Sequence, residues 1–263
     1  MEEKLYEVGR KLGFTLQQLK NLQWLVVGPF KEVKLEDTKS QWEPPKGLGK
    51  KIEKKWREHL KMRPNDFPGP MASVSSITIE EDRLIIKFRR TTYKEFIGTR
   101  RKSTQRLILT KEPLDKNIAL PFSVGAVTVT EDNKIVLEIR GKVGLGEGLL
   151  NTLPSGWFDP TQDLTWRDCL LRELKEETGV DEREVIEVKI LGLVFDCKLT
   201  QQPLLAVTLR ISRISKEIIQ PRGLKEIARL IFIENEIEKI KDIKYQFTPH
   251  AKGTLVLHFA LSS

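Results

Sequence analysis

The alternation of strand-like and helix-like segments after residue 120 constrains the fold more than any other feature of the chain. "FSVGAVTVTEDNKIVLEIR" contains two apolar runs on either side of Glu131-Asp132-Asn133, which predicts a β-hairpin. A Gly-rich segment, a helical segment and three further strand-like runs follow it. Strands that enclose a helix indicate an α/β or α+β domain from about residue 120 onward.

The chain before this domain has its own pattern. "KIEKKWREHLKM" carries apolar residues at helical spacing and is predicted to end near Pro64, and "SVSSITIE" and "RLIIKFRR" alternate as a second hairpin would. The proline and charges of "TKEPLDKN" suit a linker. We therefore predict a smaller α+β domain at residues 1–117 and a second domain at residues 118–263.

The charges are distributed unevenly between these two regions. Residues 1–119 hold 26 Lys and Arg against 16 Asp and Glu, whereas residues 120–263 hold 19 against 21. A positive surplus favours attraction to anions such as phosphates or nucleic acid, although it also serves solubility alone.

Cysteine usage and hydropathy indicate the compartment. Cys169 and Cys197 resemble neither a disulfide framework nor a zinc-ligand pair, so we expect both to be reduced core residues. No apolar run approaches the roughly 20 residues that span a bilayer, and the acidic start "MEEKLYEVGRK" lacks the pattern of a signal peptide. We expect a cytoplasmic protein without membrane contact.

The helix in the second domain has clear sequence signals at both ends. Thr165 and Asp168 match the capping-box pattern, and Gly179 stands where a left-handed C-terminal cap is expected. The predicted helix therefore covers residues 166–178. Helical periodicity places three glutamates together beside a stripe of leucines: Glu173, Glu176 and Glu177.

These three carboxylates repel one another at a cost of about 0.2 to 0.5 kcal/mol per pair. A hard divalent cation such as Mg²⁺ or Mn²⁺ would compensate, because it prefers carboxylate oxygens, waters and substrate phosphates as ligands. Spacing alone leaves a second interpretation open, in which the glutamates form the charged surface of an ordinary helix.

"RELKEETGV" resembles the second half of the Nudix box, G-x5-E-x7-R-E-U-x-E-E-x-G-U, where U is aliphatic. It agrees at every specified position: Arg172, Glu173, Leu174, Glu176, Glu177, Gly179 and Val180. The first half departs from the motif. The spacing from Gly156 to Arg172 is two residues too long, and Gln162 or Asp163 replaces the early glutamate.

The resemblance implies a fold and a set of roles. It implies an α/β/α sandwich that hydrolyses nucleoside diphosphates linked to another group, with Mg²⁺ or Mn²⁺ held by Glu173, Glu176 and Glu177. Arg172 would orient one of these glutamates, and Asp163 could support the start of the helix. Glu226, just before a late strand, would be a further ligand or base; an ordinary surface position fits it equally.

Segments outside the box resemble the Nudix enzymes that cleave UDP-glucose and carry an N-terminal domain. They are "KIEKKWREHLKMRPNDFPGPMASVSSITI", "TTYKEFIGT" and "PHAKGTLVLHF". This resemblance implies release of UMP and a sugar 1-phosphate.

Several residues are candidates for contact with substrate. In "RRTTYKEFIGTRRKSTQR" an aromatic, Tyr93 or Phe96, could stack on a base while Arg89 binds phosphate. The same segment fits single-stranded RNA, or an exposed loop anchored by its aromatics. Arg140 and Gly156 adjoin the Gly-rich segments and complete the predicted set. We expect Trp157 and Phe158 to pack under the loop, and His59, His250 and His258 to be structural or exposed.

Three functions follow from these patterns. The first is a metal-dependent pyrophosphatase for a UDP-sugar, a small-molecule nucleotide substrate. The second is a house-cleaning pyrophosphatase for nucleoside triphosphates or other nucleoside diphosphate compounds. The third is a Nudix domain that binds a nucleotide or RNA without cleaving it; nucleic acid is the less favoured partner. The sequence predicts no oligomeric state.

Overall fold

The computed structural model describes residues 1–100, 118–142, 146–197, 202–219 and 225–261. Seven helices lie in these ranges: α1 Glu2–Lys11, α2 Leu16–Lys20, α3 Leu48–Met62, α4 Tyr93–Thr99, α5 Trp166–Thr178, α6 Ile237–Lys241 and α7 Pro249–Leu261. The same ranges contain eleven strands: β1 Leu22–Val27, β2 Glu32–Gln41, β3 Pro70–Glu80, β4 Arg83–Thr92, β5 Ser123–Val129, β6 Lys134–Arg140, β7 Leu150–Thr152, β8 Ser155–Trp157, β9 Val185–Asp196, β10 Pro203–Ile211 and β11 Ile227–Glu234.

A large mixed sheet forms the centre of the molecule. Its order is β1-β9-β10-β5-β6-β11, and the short strands β7 and β8 pair with β6 and β5. Only β10 and β5 run parallel along this path; the other neighbours are antiparallel. A smaller sheet has the order β2-β4-β3. Both predicted hairpins, β5-β6 and β3-β4, are confirmed.

The large sheet is buried on both faces, as the alternation of its apolar residues requires. In β5, Val124 and Ala126 join a core that also contains residues of α5 and of the smaller sheet. Val127 and Val129 point to the opposite core, which α1 and α7 cover. Helices therefore cover both faces, and the predicted α/β/α sandwich is confirmed.

The segment before residue 118 contributes to both sheets. Strand β1 pairs with β9 at one edge of the large sheet, whereas β2, β3 and β4 form the smaller sheet. The division of the chain after residue 117 stays a prediction. The prolines and glycines of "TKSQWEPPKGLGK" predict a loop over residues 38–50, which is wrong for residues 38–41, because these complete β2, whose backbone pairs with β4.

Helix α5 has the predicted ends. Asp168 donates its backbone N–H to the Thr165 hydroxyl at 3.2 Å, and the Asp168 carboxylate accepts from the Thr165 N–H at 2.7 Å. The helix ends at Gly179, whose φ of 69° lies in the left-handed region that glycine adopts without strain. Cys169 and Cys197 are free and buried, as expected. Among the described helices, none has the length and hydropathy to cross a membrane.

Candidate active site

Helix α5 places its glutamates against the short strand β8. The Glu173 side chain is 16 % exposed, and Glu177 is buried and accepts a hydrogen bond from the Ser155 N–H at 3.2 Å. Glu176 is 57 % exposed and faces outward. A Cβ at position 156 would overlap the Glu173 carboxylate, so the glycine there permits the close approach of helix and strand.

Arg172 connects the helix to the loop that precedes it. Its guanidinium makes two hydrogen bonds of 3.0 Å to the Asp163 carboxylate and one of 2.7 Å to Glu173 Oε1. A longer contact of 3.4 Å reaches Glu176. Asp163 therefore pairs with the box arginine, and the Asp163 carboxylate also accepts from the Asp159 N–H at 3.0 Å, which closes the longer loop. This ion pair raises the pKa of Arg172 further above its ordinary value.

A fourth carboxylate beside this cluster, Glu138, is not among the predicted site residues. Glu138 lies in β6, is 2 % exposed, and accepts hydrogen bonds of 3.1 Å from Arg140 and from Asn151. A signal was present: in "KIVLEIR" the strand alternation places Glu138 on the same face as Val136, which faces the core under α5. A charged residue at an inward position of a strand marks a functional candidate.

Burial and mutual repulsion disfavour the ionised forms of these carboxylates. Burial raises the pKa of Glu173 to about 7, against the opposing effect of Arg172. Burial, followed by the charges of Glu138 and Glu173, raises the pKa of Glu177 well above its ordinary value. Burial also raises the pKa of Glu138. Arg172 and Arg140 therefore offset only part of the cost of burying these carboxylates.

The chemistry of this donor set fits a divalent cation. Within the described ranges, no three His, Cys, Asp or Glu side chains already converge on one point as metal ligands. Mg²⁺ commonly takes one or two carboxylates and completes its shell with waters and substrate phosphates, so a closed cage of protein ligands is not required. Glu173 and Glu177 are the buried donors for such an ion, and Glu176 is the exposed one.

Glu173 and Glu176 line a cleft of about 540 Å³, whereas Glu177 is buried and does not. One wall carries charged groups of the large sheet and α5: Arg140, Lys142, Arg172, Glu173, Glu176 and Glu226. The other wall comes from the connection between α3 and β3, the start of β3, α4 and β8: Arg63, Asn65, Asp66, Phe67, Gly69, Pro70, Met71, Tyr93 and Trp157. Both parts of the chain thus build the cleft.

The structure brings most of the predicted substrate residues to this cleft. Arg140, Gly156, Tyr93 and Glu226 line it, whereas Arg89 and Phe96 do not. The proposed direct contact of Phe96 with substrate does not fit its burial, since the ring is 1 % exposed.

Residues 93–99 form a helix, which corrects the alternative of an exposed loop. Residues 101–106 of the same basic segment lie outside the described residues.

Trp157 also differs from expectation. It lines the cleft, while only Phe158 is fully buried beneath the loop.

The three histidines make structural contacts. His59 pairs with Asp66 at 2.7 Å, and His258 bonds the Thr208 hydroxyl at 2.8 Å. His250 is buried, bonds the Gln202 carbonyl at 3.1 Å and borders the cleft.

The α/β/α domain thus carries a capped acidic helix beside a cleft that is lined by both acidic and basic side chains. A family model described as the NUDIX domain matches residues 119–250. The chain belongs to the Nudix family and is a Nudix hydrolase of the pyrophosphatase type.

Solved structures similar to the chain are distant from it. The NUDIX domain of Shewanella oneidensis NrtR, complexed with ADP ribose, is 17 % identical with a TM-score of 0.43, covering 55 % of this chain and 90 % of its own. The MutT protein of Methanosarcina mazei is 18 % identical with a TM-score of 0.38, covering 54 % and 93 %. An Ap4A hydrolase of C. elegans is 16 % identical with a TM-score of 0.36, covering 54 % and 96 %. No curated protein matches the chain.

Proposed function

We propose that the chain hydrolyses the pyrophosphate of a nucleoside diphosphate joined to a sugar, with UDP-glucose or a related UDP-sugar preferred. The products are UMP and a sugar 1-phosphate. This proposal rests on one observation, that a single cleft has both a charged wall and an aromatic wall. The charged wall holds carboxylates beside Arg140 and Lys142, and the other wall holds aromatic rings. Such a cleft matches a substrate with a charged pyrophosphate and a flat base.

The residues of the charged wall have distinct roles in this proposal. Glu173, Glu176 and Glu177 hold Mg²⁺ or Mn²⁺, which supplies charge neutralisation and an activated water when bound. Arg172 keeps Glu173 in place through its 2.7 Å hydrogen bond. Arg140 and Lys142 line the cleft where the phosphates lie and bind them by charge-assisted hydrogen bonds.

Glu226 is the proposed general base or additional ligand. It lies one residue before β11, is exposed and lines the cleft, and its charge raises the pKa of Glu138 and of Glu173. A carboxylate in this position can accept the proton of an attacking water. Glu138, held by Arg140 and Asn151, supports the buried side of the same cluster.

The experiment follows the release of UMP and sugar 1-phosphate from UDP-glucose with Mg²⁺ or Mn²⁺, beside other nucleoside diphosphate sugars, ADP-ribose and a nucleoside triphosphate panel. Glu177→Gln keeps the size of the side chain and its acceptor for Ser155, and is expected to lose more than about 100-fold in kcat, since even outer-shell partners of a metal cost up to that much. Asp181→Asn, at an exposed ion pair beyond the same helix, is the control and should retain activity.

Two other functions have distinct outcomes in this experiment. Cleavage of nucleoside triphosphates in preference to nucleotide sugars would favour the house-cleaning pyrophosphatase. Absence of turnover for every compound would favour a binding domain. Exposed basic residues along one face of α3 are the observation that fits RNA: Lys50, Lys54, Arg57 and Lys61. RNA binding predicts an affinity that falls steeply with salt. A cytoplasmic location stays a prediction.

A further inference from the structure

The aromatic wall of the cleft is one continuous surface built from both parts of the chain. The rings of Tyr93 in α4 and Trp157 in β8 have centres 5.2 Å apart, with planes inclined by 38°. Phe96 lies behind them and meets Trp157 edge-on at 6.0 Å. Tyr93 and Trp157 line the cleft, whereas Phe96 is buried behind them. Trp56 and His59 also pack edge-on against Tyr93, so a ligand reaches this surface mainly at Trp157.

The orientation of Trp157 is set by a buried amide. The indole N–H donates to Gln202 Oε1 at 2.8 Å, and Gln202 Nε2 donates to the Ser123 hydroxyl at 3.3 Å. Gln202 is buried, and its carbonyl bonds His250 at 3.1 Å. The ring is therefore held in place before any ligand arrives, which lowers the entropic cost of stacking on it.

The ring pair and the charged wall border the same cleft. Trp157, Glu173 and Arg140 all line it, and its volume is about 540 Å³. A nucleotide carries its base a few bonds from its phosphates. A ligand with its phosphates at the carboxylates thus reaches the rings with the next planar group of its structure.

We propose, on the basis of the proposed function, that the Tyr93–Trp157 ring pair stacks on the nucleobase of the substrate. Trp157 is then a base-binding residue, and Gln202 is the positioning residue that acts through it. A base has a π-face on either side and stacks without hydrogen-bond partners.

The first test measures KM and kcat for two substrate series. UDP-, ADP- and GDP-glucose vary the base, whereas UDP-glucose, UDP-galactose and UDP-N-acetylglucosamine vary the sugar. Trp157→Leu is expected to raise KM roughly 5- to 150-fold for all three bases, with a much smaller change in kcat, because each base loses the same stacking partner. The ranking of the three sugars should persist. An unchanged KM across the base series, or a changed ranking of the sugars, would overturn the proposal.

The role of Gln202 is tested by coupling. Gln202→Leu should raise KM in the wild-type background and have little further effect in Trp157→Phe, which keeps a ring but has no N–H to orient. Equal, additive effects in the two backgrounds would contradict a positioning role. Thermal unfolding of each variant separates this effect from general destabilisation. Destabilisation would reduce activity in both backgrounds alike.

A second measurement is independent of turnover. UMP binding is expected to quench tryptophan fluorescence in the wild type, and Trp157→Phe should lose this quenching. Trp24→Phe, at a partly buried tryptophan in β1 away from the cleft, should retain it. If the wild type cleaves no substrate, the proposed function fails, and this quenching still decides the stacking proposal. Quenching that survives in Trp157→Phe would overturn it.

Discussion

The two walls of the cleft are built by opposite means. Half of the charged wall comes from one short stretch, in which α5 carries Arg172, Glu173 and Glu176 within five residues. The aromatic wall needs Tyr93 and Trp157, which are far apart in the chain and meet only because α4 packs beside β8. The charged wall is also electrostatically unfavourable as it stands, since burial raises the pKa of Glu173 and of Glu177, whereas the aromatic wall is stabilised by its own packing.

This difference suggests a division of labour. The carboxylates of the charged wall are buried at a cost in free energy that a bound cation would reduce. The rings of the aromatic wall are already held in place before a substrate binds. Substitutions should therefore separate the two walls, because one kind alters kcat and metal dependence while the other alters stability and KM.

The largest effect on stability is expected from the aromatic wall. Phe96→Ala removes a fully buried ring from beneath Tyr93 and Trp157, and should lower the free energy of unfolding by about 3 to 5 kcal/mol. Urea denaturation measures this change. A loss below 1 kcal/mol would show that the wall does not depend on this support.

A substitution that disturbs the charged wall should reduce kcat more than it reduces the stability of the fold. Asp163→Asn keeps the shape of the side chain but removes the charge that holds Arg172 through two 3.0 Å hydrogen bonds. We expect kcat to fall roughly 10- to 100-fold, as for other partners that orient metal ligands. KM for substrate and the midpoint of metal activation are measured in parallel. Unchanged kcat would mean that Arg172 is oriented without Asp163.

The unfavourable burial of Glu173 should appear in the pH dependence of stability without added metal. Its pKa is about 7 in the folded protein against an ordinary value of 4.5, so the folded state binds the extra proton and the stability it confers is lost as pH rises from 4.5 through 7. Glu173→Gln removes this dependence and should stabilise the metal-free protein at pH 8 by on the order of 2 kcal/mol.

Mg²⁺ provides the control for this measurement. The ion binds the ionised carboxylates of the folded wild type, so saturating Mg²⁺ should reduce or reverse the advantage of Glu173→Gln at pH 8. A wild type that gains stability between pH 5 and pH 8 relative to the variant would contradict the assigned cause.

The smallest effect is expected at the start of α5. Thr165→Ala removes the hydroxyl that accepts from the Asp168 N–H, and should cost about 1 kcal/mol of stability. The carboxylates lie two turns further along the helix, so kcat should change less than twofold by this argument. Thr165→Ser retains the acceptor and serves as the control. A loss of activity as large as that of Asp163→Asn would mean that the cap also fixes the positions of the glutamates.

Local sequence patterns predicted much of this molecule because their causes are local. The capping box, the left-handed glycine at position 179 and the spacing of the glutamates all act within one helix, and the two hairpins follow from alternation around short turns. The pairing of Arg172 with Asp163 could have been predicted for the same reason, since the two residues are only nine positions apart.

Other features depend on distant parts of the chain. Strand β1 joins the large sheet through β9, more than 150 residues later, and no pattern within "LQWLVV" specifies that partner. Trp157 was expected beneath the loop, because an aromatic beside Phe158 indicates burial but not which of the two rings faces the cleft. The role of Gln202 depends on the hydrogen bond between its amide and the indole of Trp157, which no local pattern predicts.

By itself, then, the sequence determined the family, the two hairpins and the acidic helix on which the chemistry depends, since backbone periodicity and caps act over a few residues. The cleft, the burial that shifts the pKa values of Glu173 and Glu177, and the ring pair were decided by the tertiary structure. The physical reason is that desolvation and ring contacts depend on which atoms surround a side chain, and those atoms come from strands and helices far away in the chain.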